Sequence, residues 1–126
     1  MTFAVVPFVV LAGGLGAVAR FLVISALPVT STRLFPVGVL TVNALGSLLA
    51  GITLGLLSSH VINFDFALIM WAGLCGGLTT FSTVAVETIV IGRNRPRIAW
   101  LNIGVTVIGG CASAAIGFTS VQVIYL

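Results

Sequence analysis

The stretch of sequence that most constrains the fold is Gly73-Leu74-Cys75-Gly76-Gly77-Leu78-Thr79-Thr80-Phe81-Ser82-Thr83. It lies in the middle of an apolar segment that covers about residues 66–92. Adjacent glycines followed by hydroxyl residues form a weak stretch of helix. Unwound backbone at membrane depth is tolerated only where it is buried in protein or lines a polar site. The pattern is compatible with a broken helix whose free carbonyls suit ions, or with packing glycines beside hydroxyls that bond back to their own helix.

The composition around this stretch is that of a membrane protein. Of the 126 residues, 60% are hydrophobic and only 6% are charged, whereas a soluble domain carries roughly 25% charged residues. A helix needs about 20 apolar residues to cross the hydrocarbon core. We therefore predict an all-α membrane protein, a single transmembrane domain over residues 1–126 with four spans at about residues 3–27, 37–58, 66–92 and 98–123.

Small residues recur at helical spacing on three of the predicted spans. Helices in lipid associate through close packing rather than through a hydrophobic driving force. The rows are Ser47, Gly51 and Gly55 on the second span, Gly73 and Gly77 on the third, and Gly109, Ser113 and Gly117 on the fourth. They predict a compact bundle, and a core of four helices is small enough that self-association or a partner is expected.

The arginines predict an orientation in the membrane. With four spans, Arg33, Arg93, Arg95 and Arg97 fall in the two loops on one side, and the other side has no Lys or Arg. Because basic loops stay in the cytoplasm, both termini are expected outside. Such a bias argues against equal insertion in both orientations.

Several function classes find no support in the sequence. A Walker-type phosphate loop is absent, and the only histidine, His60, lies in a predicted loop, so neither a catalytic triad nor a metal cluster can be built. The net charge of +3 comes from scattered arginines, which argues against nucleic-acid binding. No acid lies near a span midpoint, so proton coupling is poorly supported. Passive conduction by a protein that is not an enzyme is the simplest remaining ion function.

Polar and aromatic residues inside the spans are candidates for an ion path, and each has a structural alternative. Asn43 could donate to an anion or form an interhelical hydrogen bond. Phe81 could present its electropositive ring edge to an anion or only pack. Glu87 could be functional or could lie at the interface near Arg93. Arg20 could attract anions or anchor the helix. Three residues of the fourth span could line a polar track or only pack: Asn102, Thr106 and Ser113.

Three motifs resemble the Fluc (CrcB) fluoride channel family. They are Gly13-Gly14-Leu15-Gly16-Ala17-Val18-Ala19-Arg20, then Val42-Asn43-Ala44-Leu45-Gly46-Ser47, then Gly76-Gly77-Leu78-Thr79-Thr80-Phe81-Ser82-Thr83 with Glu87. The resemblance covers all four segments in order, and the third motif is its most specific part.

The resemblance implies an antiparallel dimer of four-helix subunits with two narrow pores that export fluoride passively. It implies a structural sodium ion on the Gly76 and Thr79 carbonyls, and a vestibule at Arg20. By the same resemblance the pore or its polar track would include Asn43, Phe81, Thr80, Ser82, Thr83, Glu87 and Ser113. The partners would be fluoride, membrane lipid and a second subunit.

Two departures from the family pattern suggest that this chain works in a pair. Val84 stands where the family usually has a second Phe, and Val39 stands where it usually has Thr. Together with the arginine bias, this favours a heterodimer with a paralogue of opposite orientation over a homodimer. The alternative function is a non-conducting helical assembly subunit in which every motif serves packing.

Overall fold

The computed structural model describes residues 3–30 and 35–125, and Arg33 therefore lies outside the described residues. A 3-10 turn, Phe3–Val5, leads into α1 (Val6–Ala26), and α2 (Val37–Ser58) follows. Helix α3 covers residues 64–78, and it contains the α-helical turn Phe64–Leu68, the π-helix Ile69–Cys75 and the turn Gly76–Leu78. Helices α4 (Ser82–Gly92) and α5 (Pro96–Tyr125) complete the described chain.

The predicted all-helical, four-span architecture is confirmed. Four helical stretches are long and apolar enough to cross a membrane: Phe3–Ala26, Val37–Ser58, Phe64–Gly92 and Pro96–Tyr125. Helices α3 and α4 together form the third of these spans, which bends at residues 79–81. The protein is a multi-pass membrane protein.

The helix ends in the second loop follow from local chemistry. His60 has φ 56°, and its amide donates to the Leu57 carbonyl while the Val61 amide donates to the Leu56 carbonyl. This is the Schellman arrangement, in which a left-handed residue satisfies the last carbonyls of a helix. Asn63 then caps α3, because its Oδ1 accepts a hydrogen bond from the Phe66 amide at 2.8 Å. The two caps allow a sharp reversal between α2 and α3.

Helix α2 is the centre of the bundle and packs along α5. In its most apolar window 39% of the residues are buried, against 6% for the first span. A Cβ on Gly51 would overlap the Ala114 carbonyl, and one on Gly117 would overlap the Leu48 carbonyl. A Cβ on Gly55 would also overlap the Val121 side chain. The predicted small-residue row on α2 is therefore a packing face.

The row predicted on the fourth span is wrong in part. Gly117 packs as expected, but a Cβ on Gly109 would meet nothing within 4 Å, whereas one on Gly110 would lie 3.3 Å from the Ser47 hydroxyl. At 3.6 residues per turn, one residue rotates the contact by about 100°. The face that meets α2 therefore passes through Gly110, Ala114 and Gly117 rather than through Gly109.

Helices α1 and α3 approach each other backbone to backbone. A Cβ on Gly16 would overlap the Leu74 carbonyl, and one on Gly77 would overlap the Gly13 carbonyl. A Cβ on Gly73 would likewise overlap Val9 and Ala12 in the same interface. The predicted pair of Gly73 and Gly77 is thus a packing pair, as the alternative reading of this stretch held.

The break in the third span is also present, but it follows the glycines instead of including them. Gly76 and Gly77 are helical, with Leu78 as the last residue of α3. Thr79 is extended, with φ −83° and ψ 158°, and the helix resumes at Ser82. Both interpretations of the stretch therefore hold, since Gly73 and Gly77 pack on α1 and residues 79–81 form the break.

Candidate functional site

The break is held open by a side chain from the neighbouring helix. In a continuous helix the Thr80 amide would donate to the Gly76 carbonyl. It donates instead to Asn43 Oδ1 at 2.8 Å, and Asn43 Nδ2 donates to the Thr80 carbonyl at 3.1 Å. Both residues are buried. Asn43 therefore makes the interhelical bonds that its structural reading predicted, and one of its two Nδ2 hydrogens remains for another acceptor.

A second side chain reaches the break from α1. Arg20 Nη1 donates to the Thr79 carbonyl at 3.0 Å, and Arg20 is half-buried. The Thr79 amide and hydroxyl both donate to the Cys75 carbonyl, each at 2.9 Å. The Cys75 carbonyl in the last turn of α3 is therefore satisfied by Thr79, and the first unwound carbonyl, that of Thr79, by Arg20.

Hydroxyl groups gather at the start of α4. Thr80 Oγ1 lies 3.0 Å from Thr83 Oγ1 and 3.3 Å from Ser82 Oγ. Thr80 Oγ1 also accepts a hydrogen bond from the Thr83 amide at 3.2 Å, which caps the first turn of α4. Three of the predicted pore residues thus form one cluster at a helix N-terminus, where the helix dipole favours negative charge.

Phe81 lies at the edge of an open cleft of about 280 Å³. Its side chain is 85% exposed although it follows two residues held in the bundle. The cleft is lined by Asn43, Ser47, Thr79, Thr80, Phe81, Val84 and Thr106. The structure therefore brings Asn43, Thr80 and Phe81 together, and it leaves the Phe81 ring open on one face of the chain.

Gly76 and Thr79 line a neighbouring cleft of about 240 Å³, together with Gly46, Ser47, Ala50, Trp71 and Cys75. The Gly76 carbonyl has lost the Thr80 amide to Asn43. The Thr79 carbonyl accepts from Arg20 and has a second lone pair. The carbonyl end of a half-helix attracts cations. The two residues that the resemblance proposes for sodium thus fit such an ion, although one chain supplies only two oxygens.

The remaining predicted residues lie farther along α4 and α5. Glu87 is half-buried, and its Oε2 is buried without a hydrogen-bond partner. Ser113 is half-buried on α5 and does not line the cleft beside Phe81. Thr106, about 10 Å earlier along the same helix, lines that cleft, and its hydroxyl is also buried without a partner.

In the sequence, Thr106 is one of three polar residues of the fourth span that could line a polar track or only pack, and the resemblance assigns Ser113 rather than Thr106 to that track. Its neighbour Asn102 is 1% exposed and donates to the Thr88 hydroxyl at 2.9 Å. The hydrogen bond between Asn102 and Thr88 links α5 to α4, on the C-terminal side of the break. Hydrogen bonding distinguishes Asn102 from Thr106: the Asn102 side chain has a partner within the chain, whereas the Thr106 hydroxyl has none.

The two valines that depart from the family pattern are both core residues. Val39 is 2% exposed on α2, and Val84 is 6% exposed on α4. Val84 lines the cleft beside Phe81 and also a second, apolar cleft of about 320 Å³ between α4 and α5. Among the described residues that line this cleft, Phe81 is therefore the aromatic one, and Val84 contributes an aliphatic side chain.

Comparison with known proteins identifies relatives over most of the chain. The profile of the family described as CrcB-like protein, Camphor Resistance, matches residues 7–118. The fluoride-specific ion channel FluC 2 of Mycobacterium bovis is 41% identical over 118 residues, covering 93% of this chain and 90% of the relative. FluC of Pyrococcus furiosus is 40% identical, covering 90% and 92%. FluC of Vibrio cholerae is 35% identical, covering 72% and 73%. The resemblance noted from the motifs is confirmed, and the chain belongs to the CrcB-like protein family.

Proposed function

We propose that this chain is a subunit of a fluoride channel that lets fluoride leave the cytoplasm passively. The observation that carries the proposal is the cleft at the break, which is lined by Phe81, Thr80 and Asn43, with the Ser82 and Thr83 hydroxyls next to that of Thr80. Relatives that cover most of the chain are named fluoride-specific ion channels. The arrangement offers hydrogen-bond donors and an aromatic edge to an anion without a full charge that would trap it.

The chemistry of the cleft suits a small, strongly hydrated anion. Fluoride must exchange its hydration water for hydrogen-bond donors. Asn43 lines the cleft and has a second Nδ2 hydrogen to donate, and Thr106 lines the same cleft with a hydroxyl that is buried in the single chain and has no partner there. The hydroxyls of Thr80, Ser82 and Thr83 add rotatable donors at the N-terminus of α4. In this proposal Glu87 and Ser113 extend the polar track farther along α4 and α5, and Arg20 lies at the vestibule.

A second subunit completes the site. The Phe81 ring is 85% exposed in the single chain, and one wall of its cleft is open. We propose an antiparallel dimer that covers this face. A sodium ion at the dimer centre would be held by the Gly76 and Thr79 carbonyls of each subunit, and it would supply a fixed positive charge that joins the two breaks. The ion is structural and is not transported.

The partner is proposed to be a paralogue of opposite orientation. Val84 and Val39 leave this chain without two polar or aromatic groups that the family pattern usually has. Arg93, Arg95 and Arg97 all lie at the α4–α5 turn, which favours one orientation with both termini outside. Relatives named FluC 2 carry a numeral that implies a second FluC in the same organism, which supports a pair.

The test is ion efflux from liposomes that contain the purified protein, alone and co-expressed with such a paralogue. We expect fluoride efflux, little chloride efflux, and a loss of about 10-fold or more for Phe81→Ile. The matched control is Phe8→Ile, a change at an exposed phenylalanine on α1, which should leave efflux unchanged. Equal fluoride and chloride rates would contradict the proposal, as would a Phe81→Ile variant that loses association instead of efflux.

A further inference from the structure

Arg20 is placed where a charge is costly unless it has a partner. It lies six residues before the end of α1 at Ala26, or roughly 9 Å along the helix. A charged side chain inside a span faces the bundle and pairs with another charge or with backbone carbonyls. Arg20 does the latter, since its Nη1 donates to the Thr79 carbonyl at 3.0 Å.

The Thr79 carbonyl is an acceptor that needs such a donor. It follows the last turn of α3, at the negative end of that helix dipole. In a continuous helix it would accept from the amide of residue 83, but the Thr83 amide donates to the Thr80 hydroxyl at 3.2 Å. A basic side chain on a helix C-terminal carbonyl is favourable both as a hydrogen bond and against the dipole.

The two sides of the Thr79–Thr80 peptide junction are therefore held from different helices. Arg20 of α1 holds the Thr79 carbonyl, and Asn43 of α2 holds the Thr80 amide and carbonyl. Phe81 is the next residue, and its own side chain is 85% exposed. With so little packing on the ring in the chain itself, the backbone before it must determine where the ring lies.

We propose that Arg20 is a positioning residue for the break: it holds the Thr79 carbonyl so that the segment 79–81 keeps one orientation and presents Phe81 at the edge of the cleft. This role differs from that of an anion attractor at a vestibule, which needs only a charge near the entrance. The positioning role extends the proposed function. Of the two experiments below, only the efflux measurement rests on that function.

Backbone amide hydrogen exchange tests the role without any assumption about fluoride. In Arg20→Met the amides of residues 79–83 should exchange about 10-fold faster or more, because a hydrogen bond from a charged donor is lost. In Arg20→Lys, which keeps a donor of similar reach, they should stay within about 3-fold of wild type. The control Arg93→Met removes an exposed arginine at the α4–α5 turn and should change nothing at the break.

Exchange at residues 79–83 that is unchanged in Arg20→Met would overturn the proposal. If Arg20→Met raises exchange throughout α2 as well, the variant has lost its global fold, and the comparison passes to Arg20→Gln against Arg20→Lys. Glutamine is too short to reach the carbonyl, so it should loosen the break locally while lysine does not. Equal exchange in these two variants would also overturn the proposal.

Fluoride efflux adds the functional readout. Loss of positioning predicts that Arg20→Met lowers efflux about 10-fold at both low and high ionic strength, and that Arg20→Lys retains most of it. An attractor role predicts a loss that shrinks as salt screens the charge, and this result would overturn the positioning role in conduction. If wild-type protein does not conduct fluoride, the proposed function fails, while the exchange measurement still decides whether Arg20 positions the break.

Discussion

Asn43 and Thr80 form a closed pair of hydrogen bonds between the middle of α2 and the break of the third span. The amide of Asn43 accepts from the Thr80 backbone at 2.8 Å and donates to the Thr80 carbonyl at 3.1 Å. A side-chain amide thereby replaces the helical bonds that this residue would otherwise make. The unwound backbone is buried at membrane depth without an orphaned peptide group at Thr80.

Removal of this side chain should be costly. Asn43→Ala leaves the buried Thr80 amide and carbonyl without partners, and we expect a loss of about 2 kcal/mol or more in the free energy of unfolding. Denaturant titration in detergent micelles measures it. The control is Thr53→Val on the same helix, because the buried Thr53 hydroxyl donates only to the Leu49 carbonyl of its own turn. A loss as large for Thr53→Val would contradict the role of the Asn43 bonds.

The close contact between α1 and α3 leaves no room for a side chain at Gly77. In Gly77→Ala the new Cβ would overlap the Gly13 carbonyl, and we expect a loss of about 1–3 kcal/mol from overpacking. The control is Gly104→Ala on α5, where a Cβ would meet nothing within 4 Å. That change should be neutral or stabilise by up to about 1 kcal/mol, because alanine favours helix. The thermal unfolding midpoints of the two variants, measured side by side, test this prediction. Equal midpoints would contradict the close approach of α1 and α3 at Gly77.

The hydroxyl of Thr80 caps α4 and joins the hydroxyl cluster. Thr80→Val removes the acceptor of the Thr83 amide while it keeps the side-chain shape, so we expect a loss of about 1 kcal/mol together with lower fluoride efflux. Thr80→Ser keeps the oxygen and should preserve both. Stability and efflux are measured on the same preparations, and a valine variant with wild-type values for both would show that the hydroxyl has neither role.

The turn between α2 and α3 offers a stabilising substitution. His60 adopts φ 56°, a conformation that costs a residue with a Cβ roughly 1 kcal/mol and costs glycine almost nothing. His60→Gly should therefore raise the free energy of unfolding by about 1 kcal/mol. Ser59→Gly, at φ −84° one residue earlier, should not. Equal stabilisation by both changes would indicate a general effect of loop glycines.

Thr106 should separate stability from conduction. Its hydroxyl is buried without a partner, so Thr106→Val removes an unsatisfied group and should leave the fold as stable or more stable. If the hydroxyl serves a passing anion, fluoride efflux should fall several-fold in the same variant. Thr41→Val is the control, since the Thr41 hydroxyl donates to the Val37 carbonyl of its own helix. Unchanged efflux in Thr106→Val would remove this residue from the ion path.

Much of the fold could be predicted because it depends on local properties of the chain. Long apolar segments cross the membrane whatever their neighbours are, and hydroxyl residues after a glycine pair weaken a helix. The fourth span shows the limit of such reasoning. A small-residue row can be read from the sequence, but the rotation that favours Gly110 over Gly109 depends on where α2 lies.

The residues that line the cleft were predictable in part, and their contacts less so. Asn43, Thr80 and Phe81 were all expected near an ion path, and the structure brings them to one cleft. A break was expected within residues 73–83, but its position after the glycines and the partners that hold it were not identifiable. Arg20 and Thr79 are separated by 59 residues, and no pattern in either segment indicates that the guanidinium meets that carbonyl.

The amino-acid sequence by itself determined that this protein lies in a membrane, that it crosses as four helices and that the third helix is weak at its middle, because each of these depends on hydropathy and helix propensity alone. Only the tertiary structure decided that the glycines pack while the threonines unwind. The physical reason is that peptide groups at membrane depth have no water to bond, so they unwind only where neighbouring side chains supply hydrogen-bond partners. Asn43 and Arg20 are brought to the break by the packing of α2 and α1.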